Sequence, residues 1–209
     1  MKKLNFTQYK GGSGKSTSAV QLASTAAVTH KMRTAVLDLD VQASAINWQL
    51  RRTSDWPKVF AGTPDSLETE LQRLESTIEL SIFDTPGHDW TAIAKAAVHA
   101  DLTVLVGRPT QIDFEPAARV ANALRQFRVP YVVLVTQAPH RQSSKLDAWM
   151  RAYSGLGRMV PVTLTYLQPF QDSMTLGLGV EEYEPNGRAA REVRAALAWI
   201  LETLRGGQE

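Results

Sequence analysis

The sequence predicts an α/β fold, a doubly wound parallel sheet flanked by helices on both faces, in a single domain over residues 1–209. Three observations support this prediction. Short β-branched and apolar runs alternate with longer runs of helical periodicity. A glycine-rich loop at residues 9–17 joins the first strand-like run to the first helix-like run. Two later strand-like runs end in aspartate, at the position where open α/β sheets bind their ligands.

The strands are predicted from apolar and β-branched runs that are too short for helices. Such runs occupy residues 4–9, 34–38, 58–61, 80–84, 102–106, 131–135 and 159–164. Apolar residues dominate most of these runs instead of alternating with polar ones. We therefore expect strands that are buried on both faces of a parallel sheet.

The helices are predicted between these runs, at residues 15–30, 45–52, 63–77, 91–100, 115–127, 142–154 and 187–204. Thr63 and Pro64 supply a cap and a first-turn proline, while Gly155 ends the helix that precedes it. The terminal helix has one apolar packing face. Trp199 falls off that face, where it could contact a partner.

Composition limits the class of protein. A length of 209 residues suits one α/β domain with a substantial core, and 44% hydrophobic with 21% charged residues is ordinary for a globular chain. The absence of cysteine excludes disulfides, thiol catalysis and cysteine-held clusters. Polar residues interrupt the first apolar run, and no apolar run reaches about 18 residues, so we expect a cytoplasmic protein without stable membrane insertion.

The loop at residues 9–17 has the composition of a phosphate-binding loop. Its glycines let backbone N–H groups point inward, and the following helix start adds partial positive charge. Lys15 can reach the β- and γ-phosphates of a nucleotide, and the Ser16 hydroxyl can ligate Mg²⁺. The predicted nucleotide-binding residues of the loop are Gly11, Gly12, Ser13, Gly14, Lys15, Ser16 and Thr17.

Carboxylates follow two of the predicted strands. Asp38 and Asp40 stand at the end of one strand, and Asp84 ends another, just before a turn that contains Gly87. Beside a phosphate loop, Asp84 is expected to hold Mg²⁺ through water, together with Ser16, while the Gly87 N–H senses the γ-phosphate. Asp38 and Asp40 could instead cap the strand end and the following helix.

Lys10 points to a family. The standard phosphate-loop pattern places its first glycine at position 9, where this chain has Tyr9, and Lys10 follows. The resulting Lys-Gly-Gly-x-Gly-Lys-Ser resembles the deviant Walker A box of the ParA/MinD family of dimeric ATPases. The resemblance implies that this is a P-loop ATPase with ATP and Mg²⁺ as ligands, in which Lys10 reaches the phosphates of a partner subunit. On composition alone, Lys10 could also be a solvated loop cation.

Asp40 and Asp84 extend this resemblance. Asp40 matches the second aspartate of the family's D-x-D-P-Q segment, which helps position the attacking water, although Val41 replaces the usual proline. The run from Asp84 to Gly87 is similar to the family's D-x-P-[PG] switch II. The resemblance thus implies three catalytic residues, Lys10, Lys15 and Asp40, and two metal-binding residues, Ser16 and Asp84.

Two later loops complete the resemblance. Pro109 and Asp113 match a P-x-x-x-D stretch that joins the nucleotide site to the dimer interface in the family. Thr136 and Gln137 stand where family members place adenine-contacting residues, which adds them to the implied cofactor-binding set. A polar loop start would also account for Thr136 and Gln137.

The short chain looks most like the small ParA proteins of the ParF type, which partition DNA. This implies a homodimer in the ATP-bound state, binding to nonspecific DNA on the nucleoid, and a cargo-linked partner protein that stimulates hydrolysis. The cargo could be a plasmid, a chromosome or another body. Residues 88–160 carry nine lysines or arginines against five acidic residues, which agrees with a DNA-binding surface. The DNA-contacting candidates are Arg141, Lys145, Arg151 and Arg158.

Two other functions stay open. A MinD-like ATPase acting at a membrane should end in a basic amphipathic helix, whereas residues 206–209 are not lipid-seeking. A metabolic ligase of the dethiobiotin synthetase kind would share the fold and transfer phosphate to a small acid. Lys10 favours the dimeric switch over the ligase.

Overall fold

Six parallel strands form one sheet in the computed structural model, which describes residues 1–206. The sheet order is β3-β2-β4-β1-β5-β6, and each neighbouring pair is parallel. The strands are β1 (Lys2–Thr7), β2 (Thr34–Asp38), β3 (Lys58–Ala61), β4 (Leu80–Asp84), β5 (Leu102–Gly107) and β6 (Tyr131–Val135). This order confirms the predicted doubly wound fold and places β1, which carries the glycine-rich loop, near the centre of the sheet.

Helices connect and cover the strands. They are α1 (Lys15–Thr29), α2 (Ser44–Gln49), α3 (Leu67–Leu74), α4 (Trp90–His99), α5 (Gln111–Gln126), α6 (Ser144–Ser154), α7 (Gln168–Thr175), α8 (Val180–Tyr183) and α9 (Arg188–Gly206). None of the helices within residues 1–206 is long and apolar enough to cross a membrane.

The hydrophobic core lies on both faces of the sheet. Strands β2, β4 and β5 are buried along their whole length, which is what their apolar runs predict. Successive residues serve opposite faces, so Ile82 packs with α1, α2 and α9, whereas Phe83 packs with α3 and α4. A third cluster between the sheet, α5 and α6 completes the second face. The sheet is therefore rigid beneath the loops at its carboxyl edge.

Several predicted elements differ from the structure: β1 begins two residues earlier, α5 begins at Gln111 instead of 115, and two further elements differ in kind or in their start. Residues 159–164 run beside β6 but form one isolated bridge, between Met159 and Val133, instead of a strand. The Val160 N–H bonds to the Val133 carbonyl, but the next bond, to the Val135 carbonyl, comes from Leu164 instead of Val162, so the register breaks after one pair. Helix α3 begins at Leu67 instead of Thr63, since the Thr63 and Ser66 hydroxyls accept hydrogen bonds from each other's backbone N–H and hold a turn before the helix.

The terminal helix also corrects one expectation. Trp199 is half-buried against the core, and the Arg158 guanidinium lies 4.6 Å from the centre of its ring, so it is a packing residue. The predicted tail begins at Gly206, the last residue of α9, but residues 207–209 lie outside the described part of the chain.

Candidate functional site

The glycine-rich loop curls at the carboxyl end of β1 and opens into α1. Gly12 and Gly14 have φ angles of 74° and 90°, a left-handed conformation that glycine adopts without strain. A side chain at Gly14 would also come within 3.2 Å of the Thr136 hydroxyl. The loop and the first turn of α1 therefore present free backbone N–H groups to one spot, as an anion site requires.

Lys15 lies inside the curl of this loop. It is only 7% exposed, and its ammonium group donates a hydrogen bond to the Lys10 carbonyl at 3.2 Å. Burial lowers its pKa, while the charges of Asp84 and Asp40 partly offset that effect. From this position the Lys15 ammonium group can neutralise the charge of a phosphate bound in the loop, as the sequence predicts.

Asp84 ends β4 directly beside β1, where its backbone pairs with Phe6 and Asp38. Both carboxylate oxygens are buried, and neither has a hydrogen-bond partner within residues 1–206. Burial raises the pKa of Asp84 to about 7, and the nearby Ser16 hydroxyl and Lys15 ammonium group offset part of this rise. Such an unpaired acceptor beside a serine hydroxyl fits a hard cation such as Mg²⁺, and Ser16 and Asp84 are the residues that would hold it.

Asp38 and Asp40 have separate roles at the end of β2. The Asp38 carboxylate accepts hydrogen bonds from the N–H groups of Ala45 and Ile46 at 2.9 and 3.1 Å. It therefore caps the start of α2, the structural alternative that the sequence left open. Asp40 is half-exposed, accepts one hydrogen bond from the Gln42 N–H and lines the cavity beside the loop. Its carboxylate is available to orient a water molecule.

Thr136 and Gln137, the predicted adenine contacts, support the loop from the β6 side. The Thr136 hydroxyl donates to the Ser13 carbonyl at 2.6 Å, and the Gln137 side-chain amide donates to the Gly12 carbonyl at 3.0 Å. Both residues also line the cavity. Their contact with adenine stays a prediction, but their support of the loop conformation is clear from these bonds.

Lys10 leans away from its own loop towards the start of α5. Its ammonium group lies 3.5 Å from the Asp113 carboxylate, and its side chain is 24% exposed. Asp113 also binds the Arg108 guanidinium at 2.9 to 3.1 Å and the Thr110 hydroxyl at 2.8 Å. Burial alone would raise the pKa of Asp113, but these hydrogen bonds and the Arg108 and Lys10 charges hold it below its usual range. Of the three groups that bind the Asp113 carboxylate, the Lys10 ammonium group therefore has the longest and weakest contact.

Sequence reasoning missed an aromatic cluster next to Lys10. The Tyr9 ring stacks on Trp90 with the ring centres 4.7 Å apart, and it meets His88 edge-on at 5.4 Å. The sequence feature that could have indicated this cluster is the aromatic Tyr9 at the position where the standard phosphate-loop pattern has its first glycine.

A cavity of about 1150 Å³ lies beside the phosphate loop and is lined by Lys15, Ser16 and Asp40, but not by Lys10, Asp84 or Asp113. One end holds the phosphate loop, Asp40 and Gly87. The other end passes Thr17 and reaches a partly apolar wall that sequence reasoning also missed, formed by Leu164, Tyr166, Leu167, Phe170 and Met174. Because it is about as large as the sites that enclose cofactors, the cavity can take a nucleotide with its base on the apolar wall.

The four DNA-contacting candidates do not form one stripe. Arg141, Lys145, Arg151 and Arg158 are all exposed. Lys145 and Arg151 lie on α6 about 120° apart around the helix axis, given six residues at about 100° each. Arg158 stacks on Trp199. Their role as a DNA patch stays a prediction.

Comparison with known proteins agrees with this site. A family model described as the CobQ/CobB/MinD/ParA nucleotide binding domain matches residues 5–180. The chain is also 30% identical to the "Maintenance of carboxysome distribution protein A" of Gloeobacter kilaueensis, across 93% of this chain and 90% of that protein.

Solved structures show the same fold at low identity. MinD of Aquifex aeolicus, in a MinC:MinD complex, superposes with a TM-score of 0.79 at 13% identity and covers 97% of this chain and 96% of that one. MinD of Pyrococcus horikoshii with Mg-ADP gives 0.76 at 13% identity, covering 100% and 98%. A Cyanothece McdA variant in complex with ATP gives 0.75 at 14% identity, covering 95% and 96%.

Proposed function

The chain belongs to the CobQ/CobB/MinD/ParA family of nucleotide-binding domains and is an ATPase of the ParA/MinD kind, and from this premise we propose that it is an ATP-driven dimerisation switch. Two ATP-bound copies associate face to face, the dimer binds nonspecific DNA, and hydrolysis separates the copies again. The observation that carries this proposal is the Lys10 ammonium group, which bonds to no atom of its own loop and lies 3.5 Å from the Asp113 carboxylate.

The roles of the site residues follow from their positions. Lys15 neutralises the β- and γ-phosphates inside the loop, whose backbone N–H groups bind the remaining oxygens. Asp40 orients the attacking water from the open side of the cavity. Lys10 leaves Asp113 and adds positive charge to the phosphates of the partner copy, which stabilises the charge that develops during transfer.

Ser16 and Asp84 hold Mg²⁺ in this proposal. When bound, the ion neutralises charge on the β- and γ-phosphates. Asp84 supplies two acceptor oxygens that have no hydrogen-bond partner within residues 1–206, so a bound cation would offset the free-energy cost of burying its charge. The adenine lies at the far end of the cavity, between the apolar wall and the loop that carries Thr136 and Gln137.

The switch serves to position a cargo. The relative from Gloeobacter kilaueensis is named for the distribution of carboxysomes, which supports cargo positioning in general over the partition of a plasmid by a ParF-type protein. A cargo-linked partner protein would stimulate hydrolysis. In this proposal the protein acts in the cytoplasm, on the nucleoid. A dimer carries twice the cationic contacts of a monomer, and because nonspecific affinity for DNA grows with the number of phosphates neutralised, the dimer binds DNA more tightly.

A DNA-binding titration tests the proposal. The wild-type protein is titrated with a fluorescent duplex of arbitrary sequence with ATP, with ADP and without nucleotide, at several salt concentrations. We expect binding only with ATP, indifferent to sequence and steeply weakened by salt. Lys15→Ala should lose ATP affinity and with it DNA binding. Equal binding in all nucleotide states, or binding to anionic lipid vesicles instead of DNA, would overturn the proposal.

The DNA patch needs a matched control. Lys145→Ala and Arg141→Ala should each weaken ATP-dependent DNA binding and make its salt dependence less steep. Lys31→Ala removes an exposed cation from the far end of α1 and should change neither. A loss of affinity that is the same for all three variants would mean that overall charge matters and that the patch has no special part.

A further inference from the structure

Residues 87–90 rest directly on the phosphate loop. A side chain at Gly87 would come within 3.3 Å of the Gly11 nitrogen and 3.4 Å of the Lys15 ammonium group. The next residue, His88, donates its N–H to the Tyr9 carbonyl at 2.8 Å. His88 has a φ of 64°, a left-handed conformation that is costly for a residue with a side chain. The contact with the loop is therefore maintained against a local backbone cost.

The Tyr9 side chain makes the second part of this contact. Its ring stacks almost parallel on Trp90, at an interplanar angle of 23°, and meets His88 at 72°. Trp90 is the first residue of α4, and Asp89 caps that helix by accepting the Ala92 N–H at 2.9 Å. The stack thus joins the first residue of α4 to the start of the loop.

We propose that Tyr9 is a positioning residue that docks residues 87–90 onto the phosphate loop through Trp90 and His88. A phosphate bound between Lys15 and Gly87 then meets a segment that is already in place. A loop with glycine at position 9 would lack the ring and hold residues 87–90 through the backbone bond from His88 without the aromatic stack. This inference rests on the proposed ATP site but adds a residue that the phosphate-loop pattern does not include.

The first test compares three substitutions at position 9. Tyr9→Phe keeps the ring and should match the wild type, because the Tyr9 hydroxyl has no hydrogen bond within residues 1–206. Tyr9→Ala and Tyr9→Gly should bind ATP within about twofold of the wild type but lower kcat roughly two- to tenfold, the range expected for an aromatic pair. A merely structural role would change folding while leaving kcat of the folded fraction unchanged, so each variant's folded fraction is measured by thermal unfolding.

A double-mutant cycle tests the Trp90 contact. Tyr9→Ala, Trp90→Ala and the double variant should have losses in kcat that are not additive, because each single change removes the same stack. ATP should also change the fluorescence of the wild type more than ADP does. Trp90→Phe should remove that difference, whereas Trp149→Phe, on α6, should keep it.

The outcomes separate this inference from the proposed function. Additive losses at positions 9 and 90, or a Tyr9→Phe variant as slow as Tyr9→Ala, would overturn the role of Tyr9 while Lys15→Ala still abolished hydrolysis. Full hydrolysis by Lys15→Ala would instead remove the ATP site itself. If Tyr9→Ala does not fold, Trp90→Ala and Trp90→Phe decide alone: normal kcat in both would overturn the inference.

Discussion

Asp84 and Asp113 are both fully buried beside the phosphate loop, but their surroundings are opposite. Asp84 has no hydrogen-bond partner within residues 1–206, and burial raises its pKa to about 7. Asp113 accepts hydrogen bonds from Arg108 and Thr110, which hold its pKa below the usual range. An unpaired buried carboxylate gains from a bound cation, whereas a paired one fixes its neighbours. In the proposed function, Asp84 marks the ligand-facing side of the site and Asp113 marks its structural side.

Removing the charge of Asp84 should have the largest effect on function. Asp84→Asn keeps the shape of the side chain but cannot balance a divalent cation. We expect hydrolysis to fall roughly 100-fold or more, measured as phosphate release across a Mg²⁺ titration. Ser81→Ala, a nearby change on the same buried strand, is the matched control and should hydrolyse normally. Near-normal turnover in Asp84→Asn would show that the Asp84 carboxylate is not needed to hold Mg²⁺.

Asp84→Asn should lose activity but gain stability relative to the wild type at high pH. Because the native state holds the Asp84 proton more tightly than the unfolded chain, the wild type loses stability as pH rises from about 4 to about 7. Asp84→Asn has no such loss, so its free energy of unfolding at pH 8 should exceed that of the wild type by an amount on the order of 4 kcal/mol, since each of about three pKa units corresponds to about 1.4 kcal/mol. Denaturant unfolding at pH 5 and pH 8 measures both. A variant that is less stable than the wild type at pH 8 would show that Asp84 is already well paired.

Asp40 should have the next largest effect on function. Within residues 1–206 its half-exposed carboxylate accepts only the Gln42 N–H, so we expect that removing it costs little stability. Asp40→Ala should bind ATP and DNA normally but hydrolyse ATP about 10- to 100-fold more slowly, as expected for a group that orients water. Single-turnover phosphate release separates this step from binding. An unchanged rate would show that Asp40 does not orient the attacking water and that its carboxylate only stabilises the turn before α2.

Asp113→Asn should mainly lower stability. The change leaves the Arg108 and Lys10 charges without their buried partner, and because both are partly hydrated we expect a loss of about 2 kcal/mol at pH 7. The native pKa of Asp113 is lowered, so its contribution is present above the ordinary value of 3.8 and disappears as pH falls below it. The difference between variant and wild type should therefore shrink in acid. A difference independent of pH would point to packing instead of charge.

Most of the fold could be predicted from the sequence because apolar run length and periodicity report burial directly. The six strands and the loop between β1 and α1 follow from such runs, and the register that sets Asp38 level with Asp84 follows from parallel pairing. The segment beside β6 could not be classified because its apolar run reads as a strand, whereas the shift in register between Val160 and Leu164 is decided by tertiary packing.

The candidate site was predictable as a set of residue types but not as a set of bonds. The family resemblance predicted adenine contacts at Thr136 and Gln137, whereas their bonds to carbonyls of the loop are visible only in the structure. The stack of Tyr9 on Trp90 joins residues 81 positions apart in the chain, a contact that no local pattern records. Pair contacts between distant residues depend on packing, and packing is decided by the whole fold.

Lys10→Ala should have the smallest effect on stability and so sharpens the contrast between the two sides. Lys10 lies 3.5 Å from Asp113, is partly hydrated, and leaves behind a carboxylate that keeps its bonds to Arg108 and Thr110. We expect a loss of about 0.5 kcal/mol or less in denaturant unfolding. Because the same lysine is proposed to act on a partner copy, a nucleotide titration should show that the variant binds ATP. Light scattering with ATP should show that it stays monomeric, whereas Lys31→Ala dimerises. A stable ATP dimer of Lys10→Ala, or a loss near that of Asp113→Asn, would mean that Lys10 belongs to the structural side.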